Sequence, residues 1–155
     1  MKVFITLALA GAVVVGAAPP SAAFKLAPPS TSFSGSGPIS ITTPTGGAYK
    51  CTLSVRGSTS ATGVGKIAVA VFSPGQSQCA NTAASGLPWT VKAVNATTAR
   101  IVNMAVITPF GNCGVGPVPF AVSGAGVWTI NHALPPACLH LNATVPTAPP
   151  IKIVP

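Results

Sequence analysis

The sequence predicts an all-β protein: a single antiparallel β-sandwich or barrel-like domain of about 7–9 short strands, placed after a signal peptide. Two observations predict this class. Short runs of β-branched, aromatic and other apolar residues alternate with turns rich in glycine and proline, of which the chain has 16 and 17. Beyond residue 23, no segment repeats its apolar residues with the 3.6-residue period of a helix.

The N-terminal segment, residues 1–23, has the three parts of a secretory signal peptide. Lys2 supplies the positive start, Val3–Ala18 is apolar or small throughout, and Ser21–Ala23 supplies small residues before a cleavage site. We predict cleavage immediately before Phe24. An uncleaved anchor is the alternative, but the apolar run is shorter than the about 20 residues that span a bilayer. The segment therefore predicts export to the medium or the cell surface.

The domain organisation follows from composition and strand pattern. Residues 24–38 are rich in proline, serine and glycine, and we predict that they form an extended arm before a β domain at 39–155. The clearest strand is Tyr49–Arg56, in which apolar and polar residues alternate, as in a half-buried strand. The segment Cys79–Ser85 could hold one helical turn at most. The other predicted strands are Ile39–Thr42, Val64–Phe72, Trp89–Val94, Ala99–Ile107, Pro117–Val122, Val127–Asn131, Cys138–Thr144 and Ile151–Val154.

Four cysteines follow the signal peptide: Cys51, Cys79, Cys113 and Cys138. An even number of cysteines in an exported chain predicts two disulfides, which three connectivities would satisfy. We favour Cys51–Cys79 and Cys113–Cys138, because each pair closes a modest loop within its own half of the chain. The cysteines have no C-x-x-C spacing and the histidines no zinc-like spacing, so no metal site is predicted.

The charge composition excludes several classes of function. The chain has no aspartate and no glutamate. Paired-carboxylate glycosidases, Ser-His-Asp triads, EF-hand calcium loops and carboxylate-held magnesium sites all need acidic side chains and are therefore excluded.

Seven of the eight cations remain once residues 1–23 are removed with Lys2. They are dispersed along the sequence, without the basic run of a nucleic-acid module, so no specific nucleic-acid partner is predicted. Solubility accounts for them, and attraction to an anionic cell envelope is the alternative. The seven cations are Lys25, Lys50, Arg56, Lys66, Lys92, Arg100 and Lys152.

Candidate catalytic residues are few. A serine, threonine or cysteine nucleophile needs a side chain that acts as a base. The only candidates for that base are His132 and His140. The chain has neither a Gly-x-Ser-x-Gly elbow nor a phosphate-binding Gly-x-x-x-x-Gly-Lys loop. The sequence therefore predicts no enzyme, no catalytic residue and no cofactor.

The apolar residues raise a different function. Trp89, Trp128, Phe110 and Phe120 are expected in the core, because aromatic side chains dominate burial. If one sheet face is apolar and outward, it would adhere to a hydrophobic substrate or to another copy. Strand edges without acidic residues have little protection against pairing, so self-association through strand edges is a further expectation.

Several local features occur in a recognisable order. After the signal peptide come Phe33 in the arm, the Gly-Pro-Ile-Ser-Ile stretch from Gly37, Leu87-Pro88-Trp89 after the second cysteine, and Asn112-Cys113-Gly114. This order resembles the small secreted bacterial activators of alkane oxidation of the PraB type, and the likeness covers most of the mature chain. The resemblance implies a secreted or cell-surface protein that assists growth on hydrocarbons or surface colonisation. It assigns no catalytic residue.

Two functional hypotheses result. The first is a secreted, non-enzymatic accessory protein, at the bacterial surface or in the medium, that aids contact with or assimilation of hydrophobic substrates such as alkanes. The alternative is a structural or adhesive subunit of an extracellular fibre or biofilm matrix, in which residues 24–38 lend a strand to a neighbouring copy. A secreted hydrolase is disfavoured by the missing acidic residue.

Overall fold

The computed structural model describes residues 23–73 and 75–155, so the predicted signal peptide lies outside the described residues except for Ala23. The described part is all-β, as predicted. One 3-10 turn at Ser77–Asn81 overlaps the predicted helical turn. The strands are β1 (Lys25–Ala27), β2 (Ser32–Thr43), β3 (Gly47–Thr59), β4 (Gly65–Ser73), β5 (Ala83–Ser85), β6 (Trp89–Ala93), β7 (Thr98–Thr108), β8 (Gly111–Asn112), β9 (Gly116–Val122), β10 (Val127–Leu134), β11 (Cys138–Ala148) and β12 (Lys152–Val154).

Eight of these strands close into an antiparallel barrel. The order around it is β2, β3, β4, β6, β7, β9, β10 and β11, and β11 pairs back with β2. Two short strands, β5 and β6, lie end to end between β4 and β7. Each of them pairs with β4 on one side and with β7 on the other. The pattern of short strands was compatible with either a sandwich or a barrel. The pairing of β11 with β2 identifies the barrel.

The barrel interior is packed with apolar side chains. Tyr49, Cys51, Leu53 and Val55 of β3 are buried, whereas Lys50, Thr52 and Arg56 are exposed, which confirms the predicted alternation. Further along the interior, the ring of Trp128 packs against two other aromatic rings, with centroid distances of 5.3 Å to Phe33 and 4.9 Å to Phe120. Trp89 is also buried, and of the four aromatic residues expected in the core only Phe110 is partly exposed.

Each end of the barrel is covered by a different element. At one end β1 pairs with β12 in a separate two-stranded sheet that buries Leu26 and Ile151. The indole of Trp128 donates a hydrogen bond of 3.3 Å to the carbonyl of Ile151. At the other end lies the 3-10 turn, which is attached to β3 by the disulfide of Cys79 and by a 3.0 Å hydrogen bond between the hydroxyls of Tyr49 and Thr82.

Residues 24–38 are part of the barrel domain rather than an arm in front of it. They contain β1 and the first half of β2, and β2 pairs with β3 over its whole length. The boundary predicted at residue 39 therefore falls inside β2. The glycines of this segment permit the pairing, because a Cβ atom on Gly37 would overlap the backbone carbonyl of Thr144 on β11. The glycines that led to the prediction of an extended arm here allow two strands to approach closely.

Candidate interaction surface

Among the described residues, apolar side chains fill the barrel interior and leave a cavity too small for a hydrocarbon ligand. A cavity of about 20 Å³ remains between apolar side chains. An apolar cavity needs on the order of 150 Å³ to take up a molecule as small as benzene. Because this cavity is too small for an alkane, we expect a hydrophobic substrate to contact the outer surface. The cavity is lined by Leu53, Val55, Ile67, Trp89, Ile101, Met104, Trp128, Ile130 and Val145.

An apolar row crosses the outer face where β5 joins β4 to β7. Val71 on β4 lies opposite Ala83 on β5, and Ala83 lies opposite Ile107 on β7. Val69 lies two residues before Val71 on β4. The side chains of Val69, Val71 and Ile107 are 44%, 51% and 42% exposed, and Ala83 is also exposed. We call Val69, Val71, Ala83 and Ile107 the apolar row.

A shallow groove of about 550 Å³ runs beside the apolar row, over the outer faces of β11, β2, β3 and β4. Its floor is made of small residues, and the hydroxyls of Ser36 and Ser54 are hydrogen bonded across it at 3.0 Å. Val69 and Val71 form part of its lining, together with Arg56. Because the residues at the bottom of the groove are small, the side chains of Val69 and Val71 have open space on the side that faces the groove.

A cluster of cations lies on the other half of the same wall, where β6 joins β4 to β7. Lys92 on β6 is the direct cross-strand partner of Arg100 on β7, and Lys66 on β4 is the partner of Thr90, two residues before Lys92. All three cations are exposed. We call Lys66, Lys92 and Arg100 the cation cluster. These residues are dispersed in the sequence, and strand pairing brings them together.

The four cysteines form two buried disulfides, Cys51–Cys79 and Cys113–Cys138, with Cα–Cα distances of 5.7 and 5.1 Å. These are the pairs favoured by loop length. The first fixes the 3-10 turn to β3, and the second ties the segment after β8 to the start of β11. Both disulfides fit an oxidising environment outside the cytosol.

The two histidines lie on opposite faces of the sheet. His132 on β10 lies opposite Leu141, whose side chain is buried in the barrel, whereas His140 lies opposite Thr42 on β2 and is exposed. Because side chains alternate between the two faces of a strand, these pairings place the histidines on opposite faces of the sheet.

Residues 23–73 and 75–155 contain no group of three or more metal-ligand side chains of the His, Cys, Asp or Glu type. Within the same residues, no helix has the length and apolar character needed to cross a membrane.

Sequence reasoning did not assign the apolar row or the cation cluster. A signal for the row is present in Ile67–Phe72, which is apolar at every position. In a strand with one buried face, such a run must direct some apolar side chains outward. The cation cluster has no comparable signal, because it depends on the register between strands.

Comparison with known proteins agrees with the resemblance drawn from the residues. No curated protein and no solved structure gives a significant match. One protein family does match, described as alkane oxidation protein activator, PraA/PraB-like. Because that match extends over residues 1–155, the whole of the sequence, the chain belongs to the PraA/PraB-like family of alkane oxidation activators.

Proposed function

We propose that the protein is a secreted, non-enzymatic accessory protein that promotes alkane oxidation by contacting hydrophobic substrate at the bacterial surface or in the medium. The family description supports an activating role. The two disulfides support an oxidising location. Contact with the substrate is assigned to the apolar row, on the outer face of β4, β5 and β7.

The observation that carries this proposal is the outward position of Val71, Ala83 and Ile107 on three adjacent strands, combined with a filled barrel interior. Single exposed apolar residues are ordinary on protein surfaces, whereas apolar side chains that form a contiguous patch can mark an interaction site. With no internal space for an alkane, the protein acts by adsorption to a hydrocarbon surface rather than by carrying single molecules.

The expected strength of adsorption follows from the area available. Full burial of a valine or isoleucine side chain contributes about 1.5–3 kcal/mol, so a half-exposed side chain still has roughly 1 kcal/mol to gain. Val69, Val71 and Ile107 together would contribute about 3 kcal/mol on transfer into hydrocarbon. Each 1.4 kcal/mol is a factor of ten in an equilibrium constant, so the row supports about 100-fold enrichment at an oil surface.

Droplet partitioning tests the proposal. The oxidised protein is mixed with emulsified hexadecane, and the fraction that floats with the droplets is measured. The double variant Val71→Ser/Ile107→Ser should adsorb about 30-fold more weakly, the loss of about 2 kcal/mol. The control Val94→Ser/Leu139→Ser also removes two exposed apolar side chains, each 51% exposed, outside the row. Equal adsorption by both double variants would contradict the assignment of hydrocarbon contact to the apolar row.

The alternative, a subunit of an extracellular fibre or biofilm matrix, has less support from strand exchange. Closure of a barrel removes the free edges of its sheet, and residues 32–38 are already paired with β3. Among the described residues, a candidate edge is in the two-stranded sheet, where β12 pairs only with β1. Light scattering of the wild type and of Ile153→Pro tests this, since fibres built by strand addition at β12 would be abolished by the proline.

A further inference from the structure

The cation cluster and the apolar row occupy two halves of one wall. Between β4 and β7, the β5 half carries Val71, Ala83 and Ile107, and the β6 half carries Lys66, Lys92 and Arg100. Both sets are exposed and face away from the barrel interior. A flat partner that covers this wall therefore meets an apolar surface and a positive surface at the same time.

No acidic side chain of the protein neutralises the positive charge of this wall. Like charges directly opposite each other in a sheet destabilise it, and Lys92 and Arg100 are in that position. The sequence contains no aspartate or glutamate, so no side-chain carboxylate can pair with either cation. A partner that carries negative charge would therefore relieve the repulsion within the cluster.

We propose that the wall formed by β4, β5, β6 and β7 docks on an anionic lipid surface. The cation cluster contacts the phosphate or carboxylate of the headgroups, and the apolar row enters the adjoining acyl region. This inference rests on the proposed function, because it uses the same apolar row. It adds a second requirement, that the hydrophobic surface carries negative charge.

The placement favours one amphiphilic surface over a bridge between two different surfaces. A bridge from a cell envelope to an uncharged oil droplet would need the cations and the apolar residues on opposite sides of the barrel. Here Lys66 and Val69 lie three residues apart on β4, or about 10 Å along the strand. A single interface satisfies both, as in interfacial elements whose apolar burial and electrostatic attraction to anionic lipid act together.

Vesicle sedimentation with matched charge variants tests the inference. The probes are vesicles of phosphatidylcholine, alone or mixed with phosphatidylglycerol. Each cation near an anionic membrane strengthens binding about fivefold, so Lys92→Gln/Arg100→Gln should bind the anionic vesicles about 25-fold more weakly. The control Lys50→Gln/Lys152→Gln removes the same amount of charge outside the cluster. Its affinity for the anionic vesicles should fall by less than about threefold. Neutral vesicles should bind the wild type weakly.

Three outcomes would overturn the inference. The first is an equal loss in both charge variants, because net charge alone would then explain binding. The second is equal binding to neutral and anionic vesicles. The third is binding to a soluble polyanion, dextran sulfate, at least as tight as to the anionic vesicles, which would assign the cluster to a polysaccharide.

The result on plain hexadecane separates this inference from the proposed function. Lys92→Gln/Arg100→Gln should retain adsorption to uncharged hexadecane, since the apolar row is intact. If Val71→Ser/Ile107→Ser adsorbs to hexadecane as well as the wild type does, the proposed function is contradicted, even if the cluster binds anionic vesicles. Retained row-dependent adsorption, together with vesicle binding that ignores the cluster, would contradict only the inference made here.

Discussion

Lys92 and Arg100 are direct cross-strand partners on the outer face of the barrel, and both side chains are exposed. Two cations in this position repel each other across the β6–β7 ladder. No side-chain carboxylate exists in the chain to neutralise them. The pair therefore lowers the free energy of unfolding, and that cost can be measured by replacing one of its members.

Lys92→Glu should stabilise the protein by about 1 kcal/mol, because it converts a repulsive cross-strand pair into an attractive one. Chemical denaturation at low ionic strength measures the change, and added salt should reduce it. Lys50→Glu is the control, since Lys50 lies opposite the uncharged Ser40. An equal gain in both variants would mean that lower net charge, rather than the pair, is responsible.

Much of the fold is predictable from local patterns, and β3 illustrates why. Its alternation of apolar and polar residues is set by the two faces of a single strand, so the buried face of Tyr49–Arg56 is evident without any knowledge of its neighbours. The predicted strands at Ala99–Ile107 and Val127–Asn131 likewise fall within β7 and β10. Local chemistry determines which segments are extended and which of their residues are inward.

The features that depend on pairing between distant strands were not predictable. Closure rests on β11 pairing with β2, segments that are separated by most of the domain. The cation cluster depends on register, since a shift of one residue would direct Lys92 to the opposite face. The assignment of residues 24–38 to an arm was wrong for a related reason, because the glycines there serve contacts with β11 that the local sequence does not reveal.

Removal of the first disulfide by Cys51→Ser/Cys79→Ser should reduce stability by about 3–4 kcal/mol on the loop-entropy account. The two cysteines are 28 residues apart in the sequence, and the second pair is 25 apart, so Cys113→Ser/Cys138→Ser should cost nearly the same. Denaturation of each variant under oxidising conditions measures both losses. If removal of the second disulfide hardly changes the free energy of unfolding, loop entropy is not the main contribution of these disulfides to stability.

Gly37→Ala should destabilise the barrel by about 1–3 kcal/mol, the usual range for overpacking. The added methyl group would overlap the backbone carbonyl of Thr144 and so force β2 and β11 apart. Gly124→Ala is the matched control, because nothing lies within 4 Å of the Cβ position there. Thermal unfolding of the two variants distinguishes them, and equal melting temperatures would contradict the close approach at Gly37.

Stability should change by less than about 1 kcal/mol between pH 7 and pH 3, because acid unfolding mainly reflects carboxylates whose pKa is lowered in the native state. The chain has no acidic side chains. Denaturation at several pH values measures the dependence, and His132→Gln/His140→Gln removes the two histidines as a source of any change. A steep unfolding transition near pH 4, where carboxyl groups ordinarily titrate, would refute this expectation.

Tyr49 should make the protein sensitive to alkali. Burial raises its pKa above the ordinary 10.0, and the hydroxyls of Thr82, which is hydrogen bonded to it, and of Thr108 only partly oppose that rise. The unfolded phenol therefore ionises first, so stability that is complete below about pH 10 is lost as the pH rises toward the folded pKa. Tyr49 is the only tyrosine, so phenolate absorbance reports it alone and should titrate at higher pH in the folded protein than in denaturant. Tyr49→Phe should remove the signal and this alkaline loss, and identical titrations in both states would contradict the burial argument.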